Sequence, residues 1–104
     1  MNTIRAAVVQ DSPIVFNREA TVEKVYSLVI EAGRHGAQLV VMPEAFVPAY
    51  PAGLDFGARV GLRTDKGRDD FRRYYESAVE VPGPACDGLG QAAQEVSVFL
   101  VIGV

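Results

Sequence analysis

The chain has no tryptophan, one cysteine (Cys86) and one histidine (His35) in its 104 residues. A lone cysteine excludes an intrachain disulfide framework and fits a reducing cytoplasm. Lysine and arginine never form a run, and the formal charge is −3. Nucleic acid is therefore not the default partner, because no basic patch is available to neutralise phosphates. No apolar stretch approaches the roughly 20 residues of a membrane span, so no membrane role is expected. The start does not read as a signal peptide, since its apolar run from Ala6 to Val9 is closed by Gln10 and Asp11. Repeats and low-complexity segments are also absent.

What is present is the composition of an ordinary soluble globular protein, 49% apolar and 22% charged. The length suits one small domain, in which roughly 60–70% of the unfolded chain's surface can be buried. Three apolar runs stand out: Ile4 to Val9 (broken by Arg5), Leu39 to Met42 and Val98 to Val104. They are mostly continuous rather than alternating and rich in β-branched residues, the pattern of strands covered on both faces in a parallel sheet. Between the first two, the spacing of Val22, Val25, Tyr26, Val29 and Ala32 predicts a helix over about 18–35, with Asn17 as N-cap and Gly36 just past its end. Strand, helix and strand in about 40 residues make a βαβ unit with a right-handed crossover.

A Gly- and Pro-rich region runs next from Pro43 to Gly67, long for a connection and so expected to be functional or disordered. Its Phe46, Val47, Tyr50, Leu54 and Phe56 argue for packing. A second helix is expected over about 69–78, with Phe71, Tyr74, Tyr75 and Ala78 on one side and Asp69 paired to Arg72 or Arg73. Pro82-Gly83-Pro84 ends that segment, and a third helix over about 86–96 leads into the last apolar run. Three strands with their helices do not cover both faces and both edges of a sheet. The chain is therefore expected to be the N-terminal part of a larger domain.

Two carboxylates fall where apolar strands empty into the carboxyl edge of the sheet: Asp11 and Glu44. Ligands of open α/β sheets bind outside that edge. Desolvation there would raise a carboxyl pKa and suit it to general base work near neutral pH. On position alone, Glu44 is equally readable as a residue that caps the next turn or pairs with an arginine. Asp11 could join it in a metal site, but capping the Ser12-Pro13 turn is the simpler reading.

The stretch Pro43-Glu44-Ala45-Phe46-Val47-Pro48-Ala49-Tyr50-Pro51, with Gly53 after it, resembles the nitrilase branch of the carbon–nitrogen hydrolase superfamily. Ile4 to Gln10 is similar to that family's first strand, and Ala32 to Val41 to its first helix end and second strand. Tyr75 to Pro84 and the run to Gly103-Val104 are similar to its next helix, turn and third strand. The resemblance covers essentially the whole chain, and the Pro48-Ala49-Tyr50-Pro51 element favours nitrilases over the amidases of the superfamily.

The resemblance implies an α/β fold, with residues 1–104 as the N-terminal portion of a single carbon–nitrogen hydrolase domain built as an αββα four-layer sandwich. It implies a Glu–Lys–Cys triad in which Glu44 is the general base, while the lysine and cysteine map onto no residue here and are expected after Val104. The chain alone is then expected to be inactive. The substrate would be a small nitrile, no metal or organic cofactor would be required, and self-assembly into dimers or longer spirals would be expected. Cyanide hydration and amide hydrolysis are neighbouring activities. Tyr50 would lie near the substrate pocket, or else be a stacked loop aromatic.

Cys86 is the only thiol, but it comes after Pro-Gly-Pro-Ala at a helix start and lacks the family's nucleophile context, so it reads as structural. His35 reads as a solvated residue in the last turn of the first helix, where a cation suits the dipole. Two other classes compete. A non-catalytic fragment or docking subunit would use the unfinished sheet. A receiver-like or nucleotide-binding α/β domain predicts a phosphoacceptor Asp after the third strand or a Gly-rich phosphate loop; this chain has no such loop and ends too early to show the Asp.

Overall fold

The computed structural model describes residues 2–51, 56 and 64–104. The element order is β1 (Ala6–Val8), α1 (Arg18–Arg34), β2 (Leu39–Val41), α2 (Asp65–Glu76), α3 (Pro84–Glu95) and β3 (Phe99–Val101). The strands form one parallel sheet in the order β1-β2-β3, with Ala7 beside Val40 and Val40 beside Leu100. The protein is α/β. Because the strand order advances in one direction, crossovers of one hand place their helices on one face, and α1 and α3 do pack together there.

Local chemistry sets the helix ends. Asn17 Oδ1 accepts the Ala20 N–H at 3.0 Å, and α1 runs from the next residue. Beyond its last turn Gly36 takes φ +91°, a conformation open to glycine without a Cβ penalty. The expected apolar stripe is the buried one. Val25 and Val29 are fully buried and pack with Val40, Leu89 and Ala92, while Val22, Tyr26 and Ala32 flank them. About 25 cal/mol per Å² of apolar surface removed from water drives this packing.

α2 starts at Asp65 rather than near 69, because the Thr64 hydroxyl oxygen accepts the Gly67 N–H at 3.0 Å and caps an earlier turn. It stops at Glu76, where the Ser77 hydroxyl donates back to Arg73 O at 2.6 Å. The expected Asp69–Arg72 pair forms at 2.7 Å, and Arg72 also reaches Glu76. α3 opens at Pro84, two residues earlier than expected, since a proline at the first helical position gives up no needed hydrogen bond. Phe56 packs edge-on against Phe71 at a centroid separation of 5.4 Å and tilted against Tyr74 at 5.5 Å. Leu54, expected to pack in the same region, lies outside the described residues, as does Gly53.

The incomplete cover expected of three strands and their helices is what the structure shows. The apolar runs predict strands covered on both faces, yet among the described residues only one face is covered. Val40 lies in the core cluster, and Ala7 and Leu100 beside it pack against that cluster on the helix side. Their strand neighbours lie on the other side, where Val8 is 73% and Phe99 82% exposed. The apolar pattern records a need for cover on both faces; the helices meet it on one.

Candidate active site

Glu44 stands three residues past the end of β2, at the carboxyl edge of the sheet. The β2–β3 ladder continues one step past the strands, with Met42 N–H donating to Val101 O at 2.8 Å. Pro43 comes next and ends the ladder, having no N–H to give. The chain then turns. Ala45 takes φ 45°, and Phe46, Val47, Pro48 and Ala49 are all buried, Phe46 at 1% exposure. Val47 N–H donates to Gly103 O at 3.4 Å, and from the other side Phe16 N–H donates to Pro48 O at 3.2 Å. A short apolar plug thus clamps the segment to the sheet between the β1–α1 loop and the residues after β3.

Glu44 itself is exposed at this edge. The described residues therefore do not supply the desolvation expected around it. They supply a stiff backbone that presents a carboxylate outward. Tyr50, after the plug, is 62% exposed. The structure thus brings Glu44 and Tyr50 to the two ends of one clamped segment, both exposed to solvent.

Asp11 behaves differently. Lys24 from α1 reaches it at 2.9 Å, and Asp11 Oδ1 accepts the Ser12 N–H at 2.7 Å. The hydrogen bond from Lys24, then that from Ser12, holds its carboxyl below the usual aspartate value. Lys24 also donates to Ser12 O at 2.6 Å. Asp11 caps its turn, in agreement with the simpler reading. Among the described residues no three His, Cys, Asp or Glu side chains come together as a metal-ligand group.

Cys86 sits in the first turn of α3, half-buried, with its thiol 3.6 Å from Glu80 O. That is a thiol donating to a peptide carbonyl, not one facing a base. His35 caps the C-terminal end of α1, exposed, as expected of a solvated residue there.

Two supporting residues carry no signal in the sequence. Thr21 is buried in α1, and its hydroxyl both accepts the Ile14 N–H at 3.1 Å and donates to Ile14 O at 2.9 Å. It ties down the β1–α1 loop that holds Pro48. Lys24 is the partner of Asp11. A threonine on an apolar helix face and a lysine beside it have no distinctive spacing, so only the folded loop reveals them. A cavity of about 780 Å³ lies elsewhere, lined by Arg18, Val22, Tyr26, Tyr75, Val79 and Pro84. Glu44 does not line it.

The fold and this edge define an α/β protein that presents a carboxylate beyond the second strand of a parallel sheet. The sequence pattern of the carbon-nitrogen hydrolase family matches residues 5–104, and the chain belongs to that family. It is 50% identical over 102 residues to a bifunctional nitrilase/nitrile hydratase of Nicotiana tabacum, covering 98% of this chain and 29% of that protein. A bifunctional nitrilase/nitrile hydratase of Lupinus angustifolius is 49% identical over the same shares. An aliphatic nitrilase of Sinorhizobium fredii (strain HH103) is 45% identical over 104 residues, all of this chain and 34% of that protein. The chain therefore spans about a third of the length of these relatives. Among the described residues, no helix is long and apolar enough to cross a membrane.

Proposed function

We propose that this chain is the N-terminal part of a nitrilase, with Glu44 as its general base. The observation that carries the reading is the Pro43-Glu44-Ala45-Phe46 turn clamped at the carboxyl edge, in a chain about half identical to proteins named as nitrilases. The reaction takes R–C≡N and two waters to R–COOH and ammonia. Glu44 accepts the proton of a cysteine thiol, because the thiolate is the nucleophile. Sulfur adds to the nitrile carbon and the nitrogen takes up a proton, giving a thioimidate. Water adds to that carbon, ammonia departs and a thioester remains. A second water releases the acid and restores the thiol. A lysine stabilises the charge that develops at the reacting centre. Both the lysine and the cysteine come from sequence outside this chain, so the 104 residues alone release no ammonia. Residues 1–104 form the opening portion of one four-layer αββα domain, whose second sheet covers the bare face that Val8 and Phe99 expose. Tyr50 borders the nitrile pocket. The intact enzyme is cytoplasmic and assembles with itself.

A second outcome is suggested by the two relatives named as bifunctional nitrilase/nitrile hydratases. After the first water adds, the tetrahedral carbon carries nitrogen, oxygen and sulfur. Loss of ammonia leads on to the acid, whereas loss of the thiolate gives the amide with only one water consumed. Ammonia and amide measured together from one nitrile give that partition. Glu44→Gln in the intact enzyme is the test of the base, with about a 100- to 10,000-fold loss of kcat expected and the fold retained. Near-normal turnover in that variant overturns the assignment.

A further inference from the structure

We infer that Gly103, just past β3, is the positioning residue for Glu44. The inference rests on Glu44 acting as the base and concerns what sets that carboxylate's reach. A Cβ built on Gly103 would lie 2.2 Å from Ala45 N and 2.9 Å from both Cα and C of Glu44. All three contacts are backbone atoms, so no side-chain rotation relieves them. Ordinary contact would require the Glu44–Ala45 backbone to rise by about an ångström, the scale at which misplaced catalytic groups lose about 100-fold in rate.

The turn has little room to yield. Met42 N–H is held by Val101 O on one side of Glu44, and Val47 N–H by Gly103 O on the other. Phe46 and Val47 are fixed in the core, and Ala45 already sits in the left-handed region. The bare Cα of Gly103 is thus the floor on which the Glu44 peptide rests. A glycine inside an apolar strand pattern marks such a close backbone approach. The site is therefore made by two strand exits: β2 carries the carboxylate, and β3 sets its height.

The test uses Gly103→Ala in the intact enzyme, with Gly90→Ala as control, because a Cβ at Gly90 meets nothing within 4 Å. Gly103→Ala is expected to lower kcat by about 100-fold while leaving KM in place. Gly90→Ala changes neither. On a Glu44→Gln background, Gly103→Ala costs nothing further, since the group it displaces is no longer a base. A folded Gly103→Ala enzyme with normal kcat, or one in which only KM rises, overturns the inference. If Gly103→Ala does not fold, Ala45→Gly is added to it to let the turn yield, and the double variant is compared with Ala45→Gly alone. Glycine holds φ 45° without strain, so Ala45→Gly folds with a looser turn. A lower kcat in the double variant at constant KM supports the seat, and an equal kcat overturns it. The underlying reading fails separately: an active Glu44→Gln enzyme removes the base, whereas an inactive Glu44→Gln beside a fully active Gly103→Ala removes only the seat.

Discussion

Asp11 and Glu44 leave neighbouring strands of the same sheet at the same edge, yet the fold treats them in opposite ways. Asp11 is held by Lys24 and by the Ser12 N–H, both close to it in the loop and first helix. Glu44 rides a turn that leads into four buried residues, and it is carried outward. A shared strand edge therefore does not give two carboxylates the same surroundings. The next few residues of the chain decide the state of each. A polar turn within reach of a helix lysine neutralises the charge, whereas a proline and an apolar plug fix the backbone and leave the carboxylate presented.

The sharpest way to break this contrast is to remove each carboxylate in the intact enzyme. Glu44→Gln is expected to lose at least about 100-fold in kcat, and Asp11→Asn to stay within about threefold of the parent, as a substitution outside the chemistry should. Ammonia release measures both, and equal losses would erase the distinction. Next in size is the plug. Phe46 is 1% exposed, so Phe46→Ala should lower stability by about 3–5 kcal/mol in denaturant titrations. A loss near zero would mean that the Glu44 turn is not anchored through the core. Thr21→Val keeps shape but strips both hydrogen bonds to Ile14, and the unmet Ile14 groups should cost about 1–3 kcal/mol.

The smallest effect belongs to the Asp11–Lys24 pair, which is solvent-screened. Its carboxyl is held below the unfolded value by Lys24 and Ser12. A lowered folded pKa means that this contribution is complete above the unfolded pKa of about 3.9 and is lost as pH falls through the lower folded value. Asp11→Asn should lower the unfolding midpoint slightly near neutral pH and hardly at all in strong acid, where the parent's carboxyl is itself neutral. A difference that grows on acidification would contradict the pairing.

Much of the fold is legible in the residues. Asn17 and Gly36 bound α1 as their cap chemistry requires, and the Val25–Val29 stripe is the core face. The three apolar runs form three parallel strands, though each strand is only three residues long. The start of α2 is harder to read, because Gly67 in its first turn obscures the Thr64 cap. The motif singles out Glu44 and Tyr50, but not what holds them.

The chain by itself determined the elements, their order and the family, because capping, periodicity and an unusual Pro-Glu-Ala-Phe-Val-Pro string are local properties of the sequence. Tertiary structure alone decided that Asp11 is neutralised, that Thr21 and Phe16 brace the Glu44 segment, and that Gly103 lies under the Glu44 peptide. Each of these is set by contacts between separate elements of the chain, and such contacts leave no mark in local spacing until the strands are laid side by side.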